Sequence, residues 1–220
     1  MPSGARIVFP EVPHHVTQRG TRRMQVFLRE TDYASYVALL ATSCKKTGAE
    51  ILAWCLMPNH VHFVIVPHEE DDLRKTFSEP HRIYARIINE RERWRGHLWQ
   101  QRFASFPLDS HHLIAAVRYI ELNPVRARLC RLPQEWKWSS ARGHLSGHGD
   151  KLSTDQSLLD TVGDWQAFLA SGMDNEELER IRRHEISGSP LGNEEFYQYL
   201  QALTGEDFRP RTVGRPRRIP

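Results

Sequence analysis

The chain has 220 residues, 40% hydrophobic and 26% charged, which is the composition of a globular protein large enough for one main domain and an appendage. No apolar run approaches the roughly 20 residues of a membrane span, and the N-terminus lacks the apolar core of a signal peptide, so no membrane role is expected. Cys44, Cys55 and Cys130 are odd in number and show no Cys-x-x-Cys spacing, which argues against a disulfide framework or zinc ribbon and for a cytoplasmic protein. The net charge of +3 is unevenly spread: from Arg209 onward there are five arginines and no acid, so the other 208 residues carry −2. A nearly neutral body with a basic tail suits a polyanionic partner, although such a tail can also serve solubility alone.

In chain order, residues 12–18 read as a short strand broken at Gly20, with Arg19, Arg22 and Arg23 clustered around the break. Asp32–Lys46 is helical, with Tyr36, Val37, Leu40 and Ala41 at helical spacing and Gly48 just past the end. Glu50–Met57 and His60–Val66 read as two strands joined by a tight Pro58-Asn59 turn, an antiparallel hairpin. Asp72 to about Arg93 is a second, cation-rich helix that Pro80 should kink or split near Glu79. His97–Leu108 reads as a fourth strand, and Ser110 caps a third helix running to about Asn123. The first six elements follow the order of a ferredoxin-like α+β fold, an antiparallel four-stranded sheet with two helices on one face.

After about residue 130 the character changes. Trp136 and Trp138 precede Ser139-Ser140, Gly143–Gly149 reads as a loop, and three short helices follow at Asp164–Ala170, Asp174–Glu185 and Asn193–Leu203. They would form either a helix-turn-helix or a docked extension.

The strand His60–Val66 carries the first chemical signal. Side chains alternate across a strand, so His60 and His62 share a face, where two imidazoles can converge on a divalent metal. Neighbouring strand histidines are also commonly just hydrogen-bonded or exposed. Val61, Phe63 and Ile65 line the opposite face, and Val64 and Val66 continue the histidine face, so the strand is central. On the third helix, Ala116, Val117 and Ile120 fall with Leu113 on a buried stripe, and Tyr119 and Asn123 stack at i and i+4 on its flank. A phenol and an amide one turn apart could complete a site. Equally, Tyr119 could be amphipathic packing, and Asn123 could cap a helix opening at Pro124.

Asn59-His60-Val61-His62 together with Arg118-Tyr119-Ile120-Glu121-Leu122-Asn123-Pro124-Val125-Arg126-Ala127 resembles the single-tyrosine HUH transposases, and more narrowly the REP-associated tyrosine transposases of bacteria. Val16-Thr17-Gln18-Arg19-Gly20, Trp54-Cys55-Leu56-Met57-Pro58-Asn59 and Leu98-Trp99-Gln100-Gln101-Arg102-Phe103 fit the same family. The resemblance covers roughly residues 10–140. It implies an HUH endonuclease domain over 1–140, a helical extension over 141–205 and a basic tail over 206–220. It also implies that His60 and His62 bind Mg²⁺ or Mn²⁺, with Asn123 in the third ligand's place and Tyr119 as nucleophile. The implied reaction is nicking and strand transfer of single-stranded DNA at palindromic, REP-like hairpins through a 5′-phosphotyrosine. The protein would then work at the nucleoid.

A covalent intermediate conserves the phosphodiester energy, which accords with the absence of a Gly-x-x-x-x-Gly-Lys-Ser/Thr loop. One turn beyond Tyr119 stands Asn123 rather than a second tyrosine, unlike the paired-tyrosine replication initiators. Two cuts therefore need two chains or two turnovers, and monomer and homodimer both stay open. Candidate DNA contacts are Arg19, Arg22, Arg23, Arg82, Arg86 and Arg102, with Trp99 and Phe103 as stacking groups or core. In the tail, Gly214-Arg215-Pro216-Arg217 resembles the core of an AT-hook, which makes Arg215 and Arg217 further candidates. Two alternatives are a hairpin-binding regulator that keeps the fold without cutting, and a metal hydrolase pairing His60 and His62 with another histidine such as His14, His15, His111 or His112.

Overall fold

The computed structural model describes residues 7–153 and 156–210. Four antiparallel strands, β1 (His14–Arg19), β2 (Glu50–Met57), β3 (His60–Val66) and β4 (Ala104–Pro107), form one sheet in the order β2-β3-β1-β4. The helices are α1 (Glu30–Thr47), α2 (Asp72–Glu92), α3 (Ser110–Glu121), α4 (Asn123–Arg126), α5 (Ala141–Leu145), α6 (Gln156–Val162), α7 (Trp165–Ala170), α8 (Asn175–Ser187) and α9 (Glu194–Thr204). This is the expected ferredoxin-like α+β fold with a C-terminal helical extension.

The period-2 alternation of β3 sorts its side chains between two cores. Val61, Phe63 and Ile65 pack with Tyr36 and Leu40 of α1 and Phe77, Tyr84 and Ile88 of α2. Val64 packs on the other face with Val117 and Ile120 of α3, Trp165 and Leu169 of α7 and Ile181 of α8. The sheet is thus covered on both sides, which is why β3 is apolar on both faces beyond its histidines. α6, α7 and α8 dock on the second face and share its core, and Leu200 of α9 packs with Phe9 and Val12, so the docked extension, not a free-standing helix-turn-helix, is what forms.

That docking is fixed by a buried polar cluster. Glu121 at the end of α3 accepts hydrogen bonds from Ser140 Oγ (2.6 Å), His144 Nδ1 (2.6 Å) and Trp165 Nε1 (2.8 Å). His144 Nε2 meets Ser153 Oγ at 2.8 Å, and Ser153 Oγ in turn donates to the Leu52 carbonyl of β2 at 2.6 Å. Glu, His and Ser in this order look like a hydrolytic triad. All three are buried and the serine hydroxyl is spent on backbone, so the cluster ties the extension to α3 and β2.

Several local expectations change. α2 runs unbroken through Pro80, where a kink or split was expected. An interior proline costs about 3 kcal/mol, and the burial of Leu73, Phe77, Tyr84 and Ile88 on both sides of it, at about 1.5–3 kcal/mol each, outweighs that cost. The fourth strand is shorter than His97–Leu108: only Ala104–Pro107 pairs with β1, and residues 97–103 form a loop. Pairing stops because Gln18 donates its side-chain amide to the Gln101 carbonyl (2.6 Å), and beyond it only an isolated bridge joins Gly20 to Trp99. Asp109, not Ser110, caps α3, its carboxylate accepting from His112 N at 2.7 Å. Part of the expected Gly143–Gly149 loop belongs to α5.

Candidate active site

The register of β1 on β3 builds the floor of the site. Arg19 lies opposite His60, Thr17 opposite His62 and His15 opposite Val64, so His15, Thr17 and Arg19 share the histidine face. Gly20 lets the chain turn away at this point: a Cβ there would sit 2.4 Å from the Met24 carbonyl and 2.7 Å from Val26 Cγ1. α3 then crosses this face with its Ala116, Val117 and Ile120 stripe buried, as expected, and Tyr119 on the flank. His60, His62, Tyr119 and Asn123 all line one cavity of about 700 Å³, together with Arg19, Arg23 and Arg102. The Tyr119 ring lies edge-on to His62, centroid to centroid 5.8 Å.

The ring tautomers follow from the neighbours. Asn59 donates its amide Nδ2 to the Arg23 carbonyl (3.0 Å), so its Oδ1 is the acceptor for His60 Nδ1–H at 2.6 Å. That leaves the lone pair on His60 Nε2. His62 Nδ1 faces His15 Nε2 at 3.0 Å and Glu185 Oε1 at 3.4 Å. Burial, with Arg19 nearby, lowers the His60 pKa to about 3. Burial, then His60 and His15, lowers that of His62 well below the usual value. Both imidazoles are therefore neutral donors at neutral pH.

Asn123 opens α4 but its side chain does not cap that helix, and Asn123 Nδ2 is buried with no hydrogen-bond partner. Glu185 Oε1, His15 Nδ1 and Arg126 Nη1 are likewise buried without partners. An orphaned buried polar atom costs about 1–3 kcal/mol. Two of them, on Asn123 and Glu185, line the cavity itself and mark a place built for a further charged or polar group.

α8 closes the cavity from the extension and supplies residues that the sequence reading missed. Glu185 and Arg182 both line the cavity beside Tyr119, and each acts on the phenol electrostatically. Burial, joined by Glu185, raises the Tyr119 pKa, while Arg126 and Arg182 oppose the rise. Burial also raises the Glu185 pKa to about 7 against the pull of Arg19, Arg126 and Arg182. Arg126 stacks its guanidinium 4.3 Å from the Tyr119 ring centroid and donates to the Tyr119 carbonyl at 2.7 Å. Arg182 and Glu185 carried no sequence signal beyond residue type, while Arg126 stood only inside the Arg118–Ala127 motif and His15 only among the alternative histidines. Placing β1 beside β3 and reading its alternation would have put His15 on the histidine face.

The remaining expected DNA contacts divide. Arg22 is exposed in the turn after Gly20 and does not line the site cavity. Arg86 pairs with Glu90 at 3.9 Å, and Arg82 lines a second cavity on α2. Trp99 and Phe103 are core residues, 8% and 5% exposed. Arg209, part of the basic run, is held by Glu194 and Asp207. Arg215 and Arg217 lie outside the described residues. None of the described helices is long and apolar enough to cross a membrane.

A ferredoxin-like sheet that carries a histidine pair opposite a helical tyrosine fits one class of protein, the tyrosine transposases, and comparison with known sequences agrees. The family described as IS200-like transposases matches residues 9–123, more than half of the chain, and the chain belongs to that family. A Haemophilus influenzae protein assigned to the REP-associated tyrosine transposases is 27% identical over 122 residues, which cover 50% of this chain and 69% of that protein. The REP-associated tyrosine transposase of Escherichia coli K12 is 25% identical over 92 residues, 41% of this chain and 53% of that protein. The alignment thus spans about half the length of the Escherichia coli relative. A REP-associated tyrosine transposase solved with a bound REP hairpin shares the fold, with a TM-score of 0.53 at 22% identity over 66% of this chain and 86% of that one.

Proposed function

We propose that this chain nicks and rejoins single-stranded DNA at palindromic, REP-like hairpins through a tyrosine-linked intermediate. The observation that carries this reading is the convergence of His60, His62, Asn123 and Tyr119 on one arginine-lined cavity. The donor set suits a divalent cation: two neutral imidazoles and an amide, beside a carboxylate with an orphaned oxygen. His60, His62 and Asn123 would hold Mg²⁺ or Mn²⁺, which when bound supplies Lewis-acid polarisation of the scissile phosphate.

The chain's own groups do the rest. Arg19, Arg23 and Arg102 place the phosphodiester beside Tyr119. Glu185, which lines the same cavity, takes the proton of the phenol, and Arg182 steadies the phenolate. Tyr119 Oη bonds to phosphorus and the P–O3′ bond breaks. The leaving O3′ takes a proton from water to become a free 3′-OH on the upstream strand, and the downstream strand stays on the enzyme through its 5′-phosphate. Attack by another 3′-OH reverses these steps and transfers the strand. Functionally the chain divides into a nuclease unit over 1–140, an extension over 141–205 that adds Glu185 and Arg182, and a basic DNA-contacting tail over 206–220.

The test is incubation with Mn²⁺ and labelled single-stranded hairpins taken from the DNA flanking the gene, resolved on denaturing gels. A protein-linked band that disappears in Tyr119→Phe and His60→Ala supports the proposal. Cleavage without an adduct, unchanged by Tyr119→Phe, would overturn it in favour of a hydrolase. Tight binding with no cleavage under any divalent metal would instead leave a hairpin-binding regulator.

A further inference from the structure

Arg126 stands against Tyr119, and the chemistry above leaves it unused. It is the last residue of α4, and the Asn123-Pro124 break between α3 and α4 lets it reach back over the tyrosine. Its guanidinium lies 4.3 Å from the Tyr119 ring centroid, and Nη2 donates to the Tyr119 carbonyl at 2.7 Å. That carbonyl belongs to the last turn of α3, where a helix leaves its own carbonyls unpaired. One side chain thus grips both the backbone and the ring of the same residue.

Packing alone can produce such a pair of contacts. Arg118 stacks on Phe168 at 4.4 Å and donates to the Gly172 carbonyl at 3.1 Å, with no reactive group involved. What sets Arg126 apart is its neighbours. It acts electrostatically on His62, Tyr119 and Glu185, all of which line the site cavity. Its Nη1 is buried without a hydrogen-bond partner, and no carboxylate pairs with it among the described residues. Glu185 faces His62 instead, at 3.4 Å, and Arg182 adds like charge. A buried cation in such company is unfavourable until negative charge arrives. Attack by Tyr119 creates that charge against it, and a guanidinium over an aromatic face binds more strongly as the ring gains electron density.

We infer that Arg126 is a positioning residue for Tyr119, which fixes the ring in its attacking orientation and meets the negative charge that forms on it. The inference rests on the reading of Tyr119 as the nucleophile and adds no step to that reaction. The phenol proton still passes to Glu185, and the P–O3′ bond still breaks.

The experiment measures single-turnover adduct formation by the full chain with Mn²⁺ at saturating hairpin, and hairpin affinity separately by fluorescence anisotropy in EDTA. Arg126→Met keeps the length and removes the charge. It should slow the saturated rate about 10–100-fold, with affinity within about twofold of the unaltered chain. Arg126→Lys keeps the charge but not the planar fork, and should lose less. Methylguanidinium added to Arg126→Ala should restore the rate, where the same concentration of sodium does not. Arg118→Met, which removes the comparable stack on Phe168, should keep the saturated rate. An unaltered saturated rate in Arg126→Met would overturn the role and leave the nuclease reading intact, as would an equal loss in Arg118→Met. If Arg126→Met does not fold, an unaltered rate in Arg126→Lys decides in the same way. Failure of the unaltered chain to form any adduct would overturn the nuclease reading, and the positioning role with it.

Discussion

His15 Nε2 and His62 Nδ1 meet at 3.0 Å in a buried contact between adjacent strands, 47 residues apart in sequence. The contact decides which nitrogen of His62 can act. If Nδ1 carries the proton and donates to His15, the lone pair of Nε2 is free for a metal. His15 is thus a positioning residue for the proposed site. His15→Phe keeps the volume and removes the acceptor. It should lower Mn²⁺ affinity by about 10–100-fold, read by electron paramagnetic resonance titration. Unchanged affinity in a folded variant would remove His15 from the site.

Glu185 reaches Tyr119 from α8, so its substitution separates chemistry from binding. Glu185→Gln should slow single-turnover adduct formation by about 10²–10⁴-fold, with hairpin affinity equal or tighter because an anion leaves a DNA-facing cavity. Faster cleavage in Glu185→Gln would show that α8 restrains the site instead of serving it.

The Glu121 cluster predicts a stability effect away from the chemistry. Glu121→Ala leaves two buried donors, on His144 and Trp165, without an acceptor, while Ser140 Oγ keeps the Trp54 carbonyl at 3.3 Å. At about 1–3 kcal/mol per orphaned group, the loss in urea unfolding should exceed about 2 kcal/mol. Glu121→Gln, which keeps one acceptor oxygen, should lose less. A loss under about 1 kcal/mol in Glu121→Ala would mean that the extension is held by its apolar core alone.

His14 predicts an acid limb. Its ring is locked neutral, Nδ1–H donating to the Val12 carbonyl at 2.7 Å and Nε2 accepting from Phe9 N at 3.3 Å, and burial lowers its pKa to about 4. The unfolded chain takes up this proton near pH 6.5 and the folded chain near 4, so between those values the unfolded state binds more protons. Stability should be full above about pH 6.5 and fall as pH drops toward about 4. His15, lowered to about 3 by burial, acts in the same sense. His14→Leu should flatten this limb in urea midpoints measured across the range. An unaltered slope would assign the acid sensitivity to other groups.

The parts of the fold and site that were legible in the sequence are those written in short-range periodicity. The β2–β3 hairpin, the shared face of His60 and His62, and the flank position of Tyr119 and Asn123 beside the Ala116–Val117–Ile120 stripe each follow from a repeat of two or of 3.6 residues. Asp174 and Asn193 cap α8 and α9 through their side chains, so those helix starts were local as well. Pro80 went the other way because burial on both sides of it overrode the local preference, and the loop over residues 97–103 because Gln18 takes the Gln101 carbonyl out of the ladder.

What the sequence alone determined, then, is the strand and helix faces that carry the histidines, the tyrosine and the amide. The tertiary structure decided which groups surround them: His15 through the β1–β3 register, and Glu185 and Arg182 through the docking of α8 over the same face. Periodicity fixes only the direction in which a side chain leaves its own element. Hydrogen bonds between remote elements depend on which faces are buried together, and that is set by the summed packing of the whole chain.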